Sequence, residues 1–279
     1  ELLAKLQAGA RGYDLIVPSG YLIRALKALD LLEPLGRLDW PELKNLSDIA
    51  KGLKYDPNRE YAIPYAWGTS GLAVNRAKIS SKIDSWGWVF NHPELKGQIS
   101  MLDDAPAVVG IALKYLGYSY NESNPEALLK VKQLLLKQKK LLKAYAADSQ
   151  QILESGEVAI AHAYSGDTLQ VQRRNPKIEY VLPKEGGEVF MDSLAIPRGS
   201  KSPELAKQFI RFTLLQTIAA LQVEHLFFSP VVEIRNFLKD KSLLSNRAIF
   251  PKNNDLNKYE FMEDDPERID RIQKLWTEL

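Results

Sequence analysis

Two stretches of the chain place a short apolar run before a small-residue turn and then an amphipathic helix. That repeated order confines the fold more than any other feature. In "YDLIVPSGYLIRALKALDLLEPL" a strand over residues 13–17 meets Pro18, Ser19 and Gly20 and gives way to apolar residues at helical spacing. In "EVAIAHAYSGDTLQVQRR" the order recurs, with Tyr164, Ser165, Gly166 and Asp167 at the turn. Strands alternating with helices make α/β sheets, and open sheets of that class gather ligands at the carboxyl ends of their strands. Ser19, Gly20 and Tyr21 occupy one such position, and residues 164–167 another.

The remaining segments fit the same class. "YAIPYAWGTSGLAVN" reads as an extended strand bending at Pro64 and Gly68. In "DDAPAVVGIALKYLGY" an acidic pair precedes Pro106 and an apolar helical face. Residues 124–145 read as one Lys-rich amphipathic helix with a solvated basic face. "IEYVLPKEGGEVFMDSLAIP" reads as two strands around a Gly-Gly hairpin, and "SPELAKQFIRFTLLQTIAALQVEH" as a single helix opened by Ser-Pro. "DPERIDRIQKLWTEL" is a short final helix capped by the acids of "EDDP".

Composition narrows the function. The 279 residues suffice for one large domain or two of ordinary size. With 37 basic against 35 acidic residues, no overall field favours nucleic acid or anionic lipid. There is no cysteine, and His92, His162 and His225 are scattered without metal spacing. Ser19, Ser70 and Ser193 lack a nucleophile elbow, and "PKEGGE" lacks the Lys-Ser/Thr of a phosphate loop. No catalytic, metal or cofactor motif emerges, and the reading is of a protein that is not an enzyme.

Acids and rings are the informative residues. Asp103, Asp104 and Asp167 fall at strand-to-helix turns, where a carboxylate ordinarily caps the helix. Asp192, in "FMDSLAIP", is set within an apolar strand, and burying an unpaired charge costs several kcal/mol. Tyr21, Trp67, Tyr164 and Phe190 accompany these acids. Together they suggest a box that holds an organic cation by charge and cation–π attraction.

"YDLIVPSGY", "YDPNREYAIPYAWGTSGLAVN", "DDA" before "ALKYLGYSYN", "SGEVAIAHAYSGD" and above all "PKEGGEVFMDSLAIP" resemble the spermidine/putrescine-binding proteins of bacterial ABC polyamine importers. The resemblance runs along nearly the whole chain. It implies an α/β periplasmic-binding-protein fold of two lobes with a ligand cleft between them. Lobe one would hold residues 1–65 and 192–258, and lobe two residues 66–191 and 259–279. Family members open with a strand-helix unit carrying aromatic contacts; that first unit of lobe one would be missing here.

By motif, the resemblance implies ligand contacts from Ser19, Tyr21, Asp104, Tyr164, Asp167, Phe190 and Asp192, and Trp67 joins them as a candidate ring of the box. Tyr164 stands where the family usually has Trp, and Phe190 replaces a second aromatic. Ala107 stands where many relatives carry a Glu, and the family's late Gln falls near Met262, so one end of the cleft would take a shorter or less charged amine. The implied partners are a polyamine and the membrane permease of an ABC transporter, with no nucleic acid and no cofactor. The protein would be a monomer, periplasmic or lipid-anchored outside the cytoplasmic membrane. Three other readings stay open at this point: a receptor for another cationic solute, a sensor of the same fold, or a hydrolase using Asp104 and Asp192 as acid and base.

Overall fold

The computed structural model describes residues 2–263 and 265–279, and these divide into two compact units. Unit 1 comprises residues 1–67 and 190–244, and unit 2 residues 68–189 and 245–279. The chain passes between them three times, after Trp67, Val189 and Leu244. Residues 245–258, expected in lobe one, group with unit 2, where Lys258 Nζ donates to the Lys184 carbonyl at 3.1 Å.

The strands are β1 (Ala62–Asn75), β2 (Ile99–Leu102), β3 (Leu142–Ala146), β4 (Ile160–Tyr164), β5 (Ile178–Val181), β6 (Glu188–Ala195), β7 (Ser229–Pro230) and β8 (Glu260–Phe261). In unit 2 the order runs β3-β2-β4-β1, with β2 parallel to both β3 and β4, and with β4 and β5 antiparallel to β1. Alternate residues feed cores on both faces of this sheet. Leu72, Val74 and Ile160 join a large cluster with Trp86, Phe90, Val108 and Tyr120, while Ala73, Ala161 and Ala163 pack with Leu153, Val171 and Ile178. Ile272 and Leu275, from the final helix Pro266–Thr277, belong to the large cluster. Asp265 caps that helix by accepting from Arg268 N at 3.1 Å; Glu1 and Asp264 lie outside the described residues.

In unit 1 the helix Gly20–Ala28 buries Ile23 and Leu26 against Leu6, Ile16, Leu32, Ala62 and Ala195. The strand expected over residues 13–17 is reduced to isolated bridges, Ile16 with Ala195 and Ser19 with Asp192. Pro18 interrupts the ladder because it has no N–H to donate; only its carbonyl takes part, accepting from Ser193 N.

Three other expectations are corrected. The helix of residues 124–145 ends at Lys139, because residues 142–146 pair with β2 as strand β3. The Gly-Gly hairpin is absent: β5 pairs with β1, and the start of β6 pairs with β8. Gly186 between them has φ of 88°, and a Cβ there would meet the Lys258 carbonyl oxygen at 2.1 Å. The long helix after Ser202 is two, Pro203–Thr213 and Gln216–Leu226. The Thr213 hydroxyl donates to Ile210 O at 2.7 Å, and Leu214 N bonds Arg211 instead, which ends the first helix. No helix among the described residues is long and apolar enough to cross a membrane.

Candidate functional site

The topology of unit 2 delivers its candidate residues to one edge. Strands β2, β3 and β4 run parallel, with Ile99 opposite both Leu142 and Ile160; after a register shift between Ile99 and Ser100, Leu102 lies opposite Ala146. Their carboxyl ends therefore lead into Asp103 and Asp104, into Asp148 and the helix Ser149–Glu154, and into Tyr164 and the helix Ser165–Arg174. This is the edge where α/β sheets place ligands.

Asp104 caps the helix Ala105–Tyr115, its Oδ1 accepting from Ala107 N at 3.1 Å. Its Oδ2 receives no hydrogen bond from the described residues. Burial pushes its carboxyl up from the usual range, against the opposing Ala107 bond, and neighbouring Asp103 adds to the rise. Asp103 itself is exposed. Asp167 lies in the first turn of its helix and accepts from Gln150 Nε2 at 2.9 Å through Oδ1 alone. Burial raises it too, Gln150 opposes the rise and Asp148 adds to it. Tyr164 is half-buried at the end of β4.

In unit 1 the second carboxylate group forms around β6. Phe190 and Asp192 share one face of that strand and are half-buried, while Val189, Met191 and Ser193 turn inward. Asp192 is thus less deeply buried than its apolar setting suggests. The Ser19 hydroxyl donates to Asp192 Oδ1 at 2.8 Å, which takes Ser19 away from capping its own helix. Tyr21 follows in the first turn of that helix, half-buried. Phe190 meets Phe228 edge-on, with ring centroids 5.9 Å apart. Trp67 is buried, and its indole donates to the Pro230 carbonyl at 2.8 Å across the β1–β7 pair.

Two side chains escaped the sequence reading. Tyr55, in "KYDPN", hydrogen-bonds Ser193 at 2.8 Å; burial raises its hydroxyl, and the nearby charge of Asp192 adds to the rise. Its ring lies so close over Gly20 that a Cβ there would sit 2.4 Å from Cε1. Gln150 is the other. Tyr55 opens a stretch that carries the family resemblance without being marked there as a site residue, Gln150 carries no motif signal, and the tertiary fold brings both near the acids. The histidines form no metal cluster among the described residues: His162 is buried edge-on to Trp86, His92 stacks on Trp88 and His225 binds its own helix backbone.

Residues 1–233 match the family described as bacterial extracellular solute-binding protein. The chain is 33% identical, over its whole length and 83% of the relative's, to a putrescine/cadaverine-binding protein of Pseudomonas aeruginosa. It is 30% identical to the spermidine/putrescine-binding periplasmic protein of Salmonella typhimurium, covering 94% of this chain and 76% of that one. Among solved structures, a spermidine/putrescine ABC transporter substrate-binding protein from Streptococcus pneumoniae superposes with a TM-score of 0.85 at 28% identity, over 99% of this chain and 86% of that one.

Proposed function

Because the chain belongs to the family of bacterial extracellular solute-binding proteins, we propose that it is the substrate-binding component of an ABC importer and captures a polyamine of the putrescine or spermidine kind. The names of its relatives support the ligand class, and the chemistry of the candidate residues agrees with it. Protonated amines only donate, ionised carboxylates only accept, and methylene stems pack on rings. Unit 1 offers the carboxylate of Asp192 and the rings of Phe190 and Tyr21; unit 2 offers the carboxylates of Asp104 and Asp167 and the ring of Tyr164.

The observation that carries the reading is the half-tied state of Asp104 and Asp167. A protein donor holds one oxygen of each, and the other oxygen remains for a ligand ammonium. An anion receptor would instead present Arg or backbone N–H groups. On this reading the partner is a membrane permease, the protein acts as a monomer outside the cytoplasmic membrane, and the bound amine is released chemically unchanged.

A thermal-shift panel of putrescine, cadaverine, spermidine, spermine and unrelated cations tests the proposal. A cognate polyamine at a hundredfold excess over its Kd should stabilise the fold by about 2.7 kcal/mol. A panel in which no polyamine raises the Tm, or in which an unrelated cation raises it most, overturns the reading. Mass spectrometry of the amine after incubation should recover it intact, and product formation would favour the carboxylate-hydrolase alternative.

A further inference from the structure

Gln150 stands in the first turn of the helix after β3, and its side-chain amide is engaged at both ends. Nε2 donates to Asp167 Oδ1 at 2.9 Å and reaches Gln170 Oε1 at 3.5 Å, while Oε1 accepts from Arg174 Nη2 at 3.1 Å. Arg174 also pairs with Glu154. A guanidinium only donates and an ionised carboxylate only accepts, so a single orientation of the amide satisfies both neighbours.

We infer that Gln150 is a positioning residue for amine recognition, clamping one oxygen of Asp167 so that the carboxylate stays ionised and offers its second oxygen to the ligand, with Arg174 fixing the sense of the amide. The inference rests on the polyamine reading of Asp167 given above. Ala107 N holds Asp104 in the same way, with a backbone group in place of the amide.

The surrounding charges leave Gln150 a distinct role. Asp148, which caps the same helix, raises Asp167. Glu154 is engaged by Arg174, and Arg173 lies in the last turn of Asp167's own helix. From β5, Glu179 pairs with Arg76 and Tyr180 bonds Thr69; from β4 come buried His162 and half-buried Tyr164. Against burial and Asp148, the Gln150 hydrogen bond is the contribution that favours the ionised form.

The test uses the full chain with Gln150→Ala, the near-isosteric Gln150→Glu, and Arg174→Met. Carbon-13 NMR titration of the Asp167 carboxyl without ligand should show its midpoint rising by roughly one pH unit in Gln150→Ala and further in Gln150→Glu. Putrescine calorimetry should show about tenfold weaker binding for Gln150→Ala near neutral pH, with a larger loss at pH 5 and a smaller loss for Arg174→Met. In an Asp167→Asn background the Gln150→Ala change should add little. An unmoved Asp167 midpoint overturns the clamp, and so does an equal loss of putrescine affinity with and without Asp167. Failure of the polyamine reading looks different: the midpoint moves, yet wild-type protein gives no heat with any polyamine. That result removes the recognition role as well.

Discussion

At the scale of single residues, Asp192 carries the largest expected effect. Truncating one partner of a desolvated charge pair costs about 2 to 5 kcal/mol, roughly thirty- to several-thousand-fold in affinity. Asp192→Asn should therefore nearly abolish putrescine binding in calorimetry while circular dichroism reports an unchanged fold; unchanged affinity would remove Asp192 from the site. Exposed Asp103→Asn should matter little. Gly20→Ala acts on the same neighbourhood without touching a charge, because the new Cβ displaces the Tyr55 ring and with it the bond to Ser193. It should cost about 1 to 3 kcal/mol in urea unfolding. His162 has a different signature. Burial holds its pKa down at about 3, and neither ring nitrogen has a hydrogen-bond partner among the described residues. The unfolded chain takes up this proton near pH 6.5 and the folded chain does not. Stability thus falls as pH drops from about 6.5 toward 3, with a slope near 1.4 kcal/mol per pH unit from this group. His162→Leu should flatten that slope in denaturant titrations at stepped pH.

At the scale of elements, Gly186 sets the path between β5 and β6, and both its φ of 88° and the Lys258 carbonyl exclude a side chain. Gly186→Ala should lower the Tm by several degrees, whereas alanine at Gly97, whose φ is also positive but whose surroundings are open, should lower it less. The contrast between these glycines illustrates what the sequence displayed and what it concealed. Periodicity and caps exposed the helices Gly20–Ala28, Ala105–Tyr115, Ser165–Arg174 and Pro266–Thr277, because those signals are local. It also exposed the acids at the helix starts. The pairing of β5 with β1 rather than β6 and the conversion of residues 142–146 into a strand depend on partners far along the chain, which no window of sequence contains. Tyr55 and Gln150 were hidden for the same reason: each reaches its acid through an approach made only by folding.

At the scale of the whole molecule, unit 2 is assembled from two separated segments, and the later one supplies structure as well as surface. Ile272 and Leu275 enter its main core, and Glu260 on β8 binds Lys114 Nζ at 2.7 Å and Tyr120 N at 3.0 Å. Residues 68–189 expressed alone should therefore lack fixed side-chain packing by near-ultraviolet circular dichroism, and a peptide of residues 245–279 added in trans should restore it. A fragment that is well packed without the peptide would contradict this. The same arrangement orders events on the ribosome. A nascent chain halted anywhere before Leu275 leaves the unit 2 core without Ile272 and Leu275, so the side chains around that gap settle only once this helix has left the ribosome.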